Sequence, residues 1–337
     1  MTADLEETAR KMVQQPKGIL AMDESTGTIG KRFQSVGVEN TEENRRAYRE
    51  LLVTAPGIEA HISGAILYEE TLGQKTANGV PFAQALKQRG IAPGIKVDKG
   101  TKDLAGFPGE KITEGLDGLR ERLAGFKAQG AEFAKWRAVI TIDAAKGLPT
   151  KQCIEANAQR LAEYAALCHE QGLVPIVEPE VLMDGTHSLK ACEKATTQAL
   201  KAVFEKLADL KVNLNGIVLK PNMVVPGADS TDEATPKQVA SATLKVLKKC
   251  VPVEVPGIAF LSGGIGDEEV TLYLDELNKA KAAEGAPWNL TFSFGRGLQR
   301  EPLQLFGSKD NDKTKKAQDA LLKRSQESSN ATLGKYK

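Results

Sequence analysis

Lys220 closes an apolar run, Gly216-Ile217-Val218-Leu219, and is followed at once by Pro221. A lysine delivered on aliphatic residues and stopped by proline sits where a strand ends and loses part of its water. Desolvation disfavours an ammonium ion, and a neutral amine attacks carbonyl carbon. The demand is large, because an ordinary lysine with a pKa near ~10.4 is neutral in only about one molecule in 2,500 at pH 7. The plainer alternative is a lysine whose stem lies on apolar surface while its head reaches water.

Other apolar runs end in the same way. Asp23 follows Ile19-Leu20-Ala21-Met22. Lys96 and Asp98 stand two apart, as do Lys135 and Arg137 around Trp136, and Glu178 and Glu180 across Pro179. In a strand, residues two apart share a face. Ser262, followed by Gly263 and Gly264, and then Arg296 complete the set. Lysines gathered near one amine favour its neutral form, and carboxyls at Asp23, Glu178 and Glu180 offer proton transfer. Ser262-Gly263-Gly264-Ile265-Gly266 lies between a strand and a helix, where backbone N–H groups can cradle phosphate. Arg296, flanked by Gly295 and Gly297, adds a bidentate phosphate ligand.

Eight strand-like runs position these groups: GILAMD from Gly18, ISGAILY from Ile62, APGIKVD from Ala92, FAKWRAVITI from Phe133, VPIVEPE from Val174, GIVLK from Gly216, GIAFLSGG from Gly257 and LTFSFGR from Leu290. Most begin about forty residues apart, room for strand, loop, helix and loop. Thr235-Pro236-Lys237-Gln238 reads as a capping box with a first-turn proline. Thr150 opens a helix that ends at Gly172, and Gly130 closes the preceding one. Eight βα units predict a closed (β/α)8 barrel, an α/β fold with catalytic groups at the C-terminal strand ends. The barrel strands are expected over about 18–298, with helical extensions at both ends and the last over about 299–337, all in a single catalytic domain. A final helix is predicted over Ala317 to Gln326, after a solvated charge run from Lys309 to Lys316.

Composition narrows the chemistry. Of 337 residues, 45 are Lys or Arg and 44 Asp or Glu, a net charge of +1. No global field favours nucleic acid or an anionic membrane, and no apolar run approaches a membrane span. Cys153, Cys168, Cys192 and Cys250 lack paired spacing and read as free thiols of a cytoplasmic protein. His61, His169 and His187 are scattered, so no metal site is expected; His61 and His169 are read as structural. Ser25 to Arg32 fails as a P-loop, with serine at the first glycine position and Arg32 where Ser or Thr would bind magnesium. Neither GxGxxG nor GxSxG occurs.

Seven motifs in order, GILAMDESTGTIGKR, GIKVDKG, FAKWR, VEPE, VLKPNMV, FLSGG and SFGRGLQ, closely resemble the class I fructose-1,6-bisphosphate aldolases. These are metal-independent Schiff-base enzymes of glycolysis and gluconeogenesis. The resemblance runs from about Leu5 to about Gln299 and continues more weakly beyond. It implies a (β/α)8 homotetramer that cleaves fructose 1,6-bisphosphate with no cofactor. It makes Lys220 the Schiff-base lysine and Glu178 the acid/base that expels water from the carbinolamine. Asp23 orients the substrate hydroxyl, Lys135 assists carbinolamine formation, Glu180 pairs with these lysines, and Lys96 belongs to the hydroxyl-binding set. Ser262, Gly263 and Arg296 match one phosphate site. Ser25, Thr28, Lys31, Arg32 and Arg137 are similar to residues around the other phosphate or the adjacent sugar. Related enzymes prefer fructose 1-phosphate or sedoheptulose 1,7-bisphosphate, and an idle barrel binding cytoskeletal or other anionic protein partners is the alternative of a different class. Family members carry a C-terminal tail ending in tyrosine. Leu333-Gly334-Lys335-Tyr336-Lys337 reaches the point where that tail would begin, so Tyr336 is not expected to take the terminal tyrosine's part.

Overall fold

Period-two alternation decides which groups meet at the centre of the molecule. In the computed structural model, which describes residues 2–337, every expected run contributes a strand to one closed parallel barrel. The barrel strands are β1 (Gly18–Met22), β2 (Ile62–Leu67), β3 (Ala92–Lys96), β6 (Phe133–Ile140), β7 (Val174–Val181), β8 (Val218–Leu219), β9 (Gly257–Phe260) and β10 (Asn289–Phe294). Their order around the barrel follows the chain, and β1 pairs with both β2 and β10 to close it. An antiparallel hairpin, β4 (Thr101–Asp103) with β5 (Lys111–Thr113), is an insertion between β3 and β6 that the apolar pattern did not announce. Its first strand, Thr-Lys-Asp, is exposed throughout and therefore carries no apolar signature.

Helices surround the strands, which are buried on both faces and so read as nearly unbroken apolar runs. The helices used below are α1 (Thr2–Met12), α2 (Thr26–Ser35), α3 (Glu42–Val53), α4 (Glu69–Gly73), α5 (Phe82–Lys87), α6 (Leu119–Ala128), α7 (Lys151–Glu170), α8 (Leu189–Asp209), α9 (Pro236–Cys250), α10 (Asp267–Glu284), α11 (Arg296–Phe306) and α12 (Lys313–Thr332). Thr235 caps α9 through the expected capping box, and Thr150 accepts the Cys153 N–H at the start of α7. The last helix is longer than its apolar stretch suggested. It starts within the charge run, at Lys313, where Lys315 pairs with Asp319 and Lys316 with Asp310.

Two hydrophobic layers divide by parity. Ile19, Ala21, Phe133, Val174, Ile176, Val218 and Ala259 fill the barrel, and Leu5, Ala9, Met12 and Val13 close its N-terminal end. Leu20, Met22, Ala134, Trp136, Val177 and Leu219 face the helices, where Trp136 stacks on Tyr164 with ring centroids 5.6 Å apart. Continuing the inward parity along each strand brings Asp23, Lys96, Lys135, Arg137, Glu178, Glu180 and Lys220 to one end of the barrel, its C-terminal mouth.

Close packing at the other end depends on a missing side chain. A β-carbon on Gly94 would overlap the Phe133 ring, which fills the barrel floor at 0% exposure. Gly94→Ala is therefore expected to destabilise the fold by about 1–3 kcal/mol, with Phe133→Leu in the same chain recovering part of the loss. Urea unfolding measures both changes. An unaltered midpoint in the single variant would show that the floor is not packed as described.

Candidate active site

β8 is only two residues long, yet it places the key amine. The Lys220 N–H donates to Val177 O at 2.8 Å, and Leu261 N donates to Pro221 O at 3.2 Å, so the backbone on either side is fixed. His169, at the end of α7, bonds Gly216 O through Nε2 at 3.0 Å and holds the start of the run. His61 bonds Ser329 Oγ at 3.1 Å; both histidines have the structural roles expected. Lys220 is 3% exposed, which removes the reading of a lysine with its head in bulk water.

Four buried charges form a chain of alternating sign. Lys220 Nζ lies 3.1 Å from Glu178 Oε1, Lys135 Nζ lies 3.3 Å from Glu178 Oε2, and Lys135 Nζ lies 2.7 Å from Asp23 Oδ2. Burial opposes the charge on Lys135, but Asp23, Glu178 and Asp98 outweigh it and hold its pKa above the ordinary lysine value. Burial likewise opposes ionisation of Asp23. Lys135, Lys220 and Lys96 overcome it and keep the carboxyl well below the usual range. Glu178 Oε2 faces Lys135 as an ion pair but makes no hydrogen bond.

The fourteen residues given a catalytic or substrate-binding part in the sequence all line one cavity of about 580 Å³ at the mouth of the barrel, whereas Asp98 and Gly264 do not. Glu180 meets a different partner from the one expected. It pairs with Arg137 rather than with the lysines, because it stands one inward position beyond Glu178, level with the rim. Glu180 and burial act in opposite directions on Arg137: burial lowers its pKa, and the carboxylate more than restores it. Lys96 is tied to Asp98 at 2.6 Å, and Asp98 also accepts the Arg137 N–H at 3.3 Å.

Two basic segments border the mouth, after neighbouring strands. After β1, Ser25 precedes the first turn of α2, its Oγ 3.1 Å from Thr28 Oγ1, with Lys31 and Arg32 a turn further on. The rejected P-loop segment is thus a helix whose N-terminus borders the cavity. After β9, Gly263 and Gly264 adopt φ of 57° and 101°, values that favour glycine. Their N–H groups have no acceptor among the described residues, and Arg296 lies against Gly264. Desolvation, with the charge of Arg32 behind it, lowers the Arg296 pKa, a strain that a bound anion relieves. Among the described residues, seven cations and four carboxylates line the cavity, a surplus suited to a polyanion.

Glu24, Ser293, Gly295, Ala21 and Leu261 also line it and were not singled out. Ser293 has the inward parity but is an ordinary strand residue, and its buried Oγ is unpaired. Glu24 has the opposite parity to Asp23. It joins Arg32 and Arg49, the latter at 2.9 Å, so it braces the wall from behind. No group of three His, Cys, Asp or Glu suited to a metal ion occurs among the described residues.

A lysine buried against a carboxylate, beneath two basic segments at the C-terminal mouth of a parallel barrel, suits a class: carbonyl lyases that work through a lysine imine on phosphorylated substrates. The comparisons make this specific. Residues 4–337 match the family described as fructose-bisphosphate aldolase class-I. A probable fructose-bisphosphate aldolase class 1 of Xanthomonas campestris is 52% identical over 99% of this chain and 98% of its own. The cytosolic fructose-bisphosphate aldolase 4 of Arabidopsis thaliana is 52% identical over 95% of this chain and 80% of its own. A crystal structure of the Plasmodium falciparum fructose-bisphosphate aldolase, in complex with TRAP and a small-molecule inhibitor, superposes with a TM-score of 0.96. It is 48% identical, covering 99% of this chain and 95% of that one. The chain belongs to the class I fructose-bisphosphate aldolase family. It is a lyase that reversibly cleaves fructose 1,6-bisphosphate to dihydroxyacetone phosphate and glyceraldehyde 3-phosphate through a lysine Schiff base.

Lys135→Met removes the nearest charge that keeps Asp23 ionised while leaving its burial in place. The Asp23 pKa then rises, and the acidic limb of the kcat/KM profile moves to higher pH, with kcat reduced by about 10²-fold or more. A pH profile of this variant whose acidic limb stays in place would separate Asp23 from the rate.

Proposed function

We propose that Lys220, Glu178, Asp23 and Lys135 carry out the covalent steps of aldol cleavage, and that the two walls hold the phosphates. The distance of 3.1 Å between Lys220 Nζ and Glu178 Oε1 carries this reading, because it joins the amine to the group that handles its protons. Neutral Lys220 Nζ adds to the C2 ketone, and a proton passes from the nitrogen to the former ketone oxygen, giving the carbinolamine. Glu178, once protonated, gives its proton to that hydroxyl, water leaves, and the C2=N bond forms. The iminium then draws in the electron pair of the C3–C4 bond while a carboxylate accepts the C4-hydroxyl proton. The resulting enamine is protonated at C3 and hydrolysed, which frees Lys220.

Asp23 is assigned to the hydroxyls and the iminium charge, and Lys135 to holding Asp23 ionised and both carboxyl groups in place. Glu180 fixes Arg137, which with Lys96 meets the sugar. Ser262, Gly263 and Arg296 take one phosphate; Ser25, Thr28, Lys31 and Arg32 face the other. Anchoring both ends directs binding energy from remote groups onto the orientation of C3 and C4.

The chain is read as one catalytic barrel domain, cytoplasmic like the relatives named cytosolic, and as a metal-independent homotetramer. Among the described residues, no helix is long and apolar enough to cross a membrane. Likeness to the Plasmodium enzyme bound to TRAP supports a second, protein-binding role.

Borohydride added with dihydroxyacetone phosphate is expected to reduce an imine on Lys220 and leave a peptide carrying the adduct. Lys220→Met should lower kcat by about 10⁴-fold or more, whereas a chelator should not change it. Peptide mapping that finds Lys220 unmodified, or substantial turnover by the methionine variant, would reject the assignment.

A further inference from the structure

The C-terminal helix α12 contributes a buried arginine that the covalent steps do not use. Arg324 is 7% exposed. Its Nη2 donates to the backbone oxygen of Asp267 at 2.6 Å and to Thr271 Oγ1 at 2.8 Å, and its Nε donates to Gly297 O at 3.3 Å. Nη1 pairs with Glu327 on the same helix. Asp267 and Gly297 lie in the first turns of α10 and α11, the two helices that run directly out of the anion-binding wall. The turn Ser262–Gly266 leads into α10, and Gly295 and Arg296 open α11. A single guanidinium thus fastens together two segments that are about thirty residues apart in the chain but form one cradle. The fit is tight: a β-carbon on Gly297 would stand 3.4 Å from Ser262 Cβ, and one on Gly264 only 2.9 Å from Arg296 Nη2.

Electrostatics gives the contact a direction. Helix N-termini carry partial positive charge, so a cation beside two of them is unfavourably placed. Glu327 offsets part of this. An anion on the opposite face of the cradle offsets more, because it interacts favourably with the N–H groups, Arg296 and Arg324 together.

We propose that Arg324 is a positioning residue for phosphate: it sets the spacing between the Gly263–Gly264 N–H groups and Arg296, and so sets anion affinity without touching substrate. The proposal rests on reading Ser262, Gly263 and Arg296 as a phosphate site. Full-length Arg324→Met is compared with the unchanged chain by borohydride trapping of Lys220. One series uses dihydroxyacetone phosphate and the other dihydroxyacetone, which has no phosphate; competition by inorganic phosphate is measured alongside. The half-saturating concentration of the phosphorylated ketone and the inhibition constant of phosphate are expected to rise about tenfold, equivalent to about 1.4 kcal/mol. Trapping by dihydroxyacetone should change less than about twofold, and Arg324→Lys should recover part of the phosphate affinity. Unchanged phosphate affinity, or an equal loss with both ketones, overturns the proposal. Should Arg324→Met fail to fold, Thr271→Val keeps the side-chain shape and removes one acceptor. About a threefold loss of phosphate affinity in that variant supports the proposal, and none overturns it. Arg296→Gln is the control, since normal phosphate inhibition in that variant would reject the underlying phosphate site itself.

Discussion

Glu178, held between two ammonium groups inside the barrel, is the interaction that the rest of the site depends on. Charges taken out of water are costly alone and become tolerable only in a compensated string. Asp23, Lys135, Glu178 and Lys220 form such a string across β1, β6, β7 and β8, and each member neutralises its neighbour. The strands must therefore hold their register closely, because a slip of one residue would turn every one of these groups outward. The apolar layers behind them, with Phe133 filling the space left by Gly94, supply that rigidity.

The same arrangement reconciles two needs that conflict. An attacking amine must be neutral, yet Lys220 Nζ stands 3.1 Å from a carboxyl oxygen of Glu178. That spacing is within reach of a direct proton transfer between the two groups. Lys135 bridges Glu178 and Asp23, and against the effect of burial Lys135, Lys220 and Lys96 hold the Asp23 carboxyl below the usual range.

The barrel was legible because parallel strands buried on both faces appear as apolar runs, and the site was legible because their ends turned polar at a spacing of two. Lys135 and Arg137, and Glu178 and Glu180, carried that signal directly. What escaped has physical reasons. Glu24 has the wrong parity and acts through arginines. Ser293 is chemically unremarkable among strand residues. The hairpin from Thr101 to Thr113 is too short and too exposed to show alternation. The partner of Glu180 could not be read because spacing along one strand says nothing of the height at which a neighbouring strand ends. Arg324 was invisible for a simpler reason: it lies in a polar helix far from every motif, and only packing reveals what it holds.

Barrel closure has a further consequence for how the molecule comes into being. The final staves, β9 and β10, bring the glycine cradle and Arg296, whereas Asp23 and the α2 wall belong to the first. The ring closes only when β1 pairs with β10, Ile19 against Ser293, near opposite ends of the chain. Such contacts between distant parts of a chain form late and slowly. The segment after β1 and the glycine turn with Arg296 thus come to line one cavity only when the last stave meets the first, so the complete mouth is a product of closure.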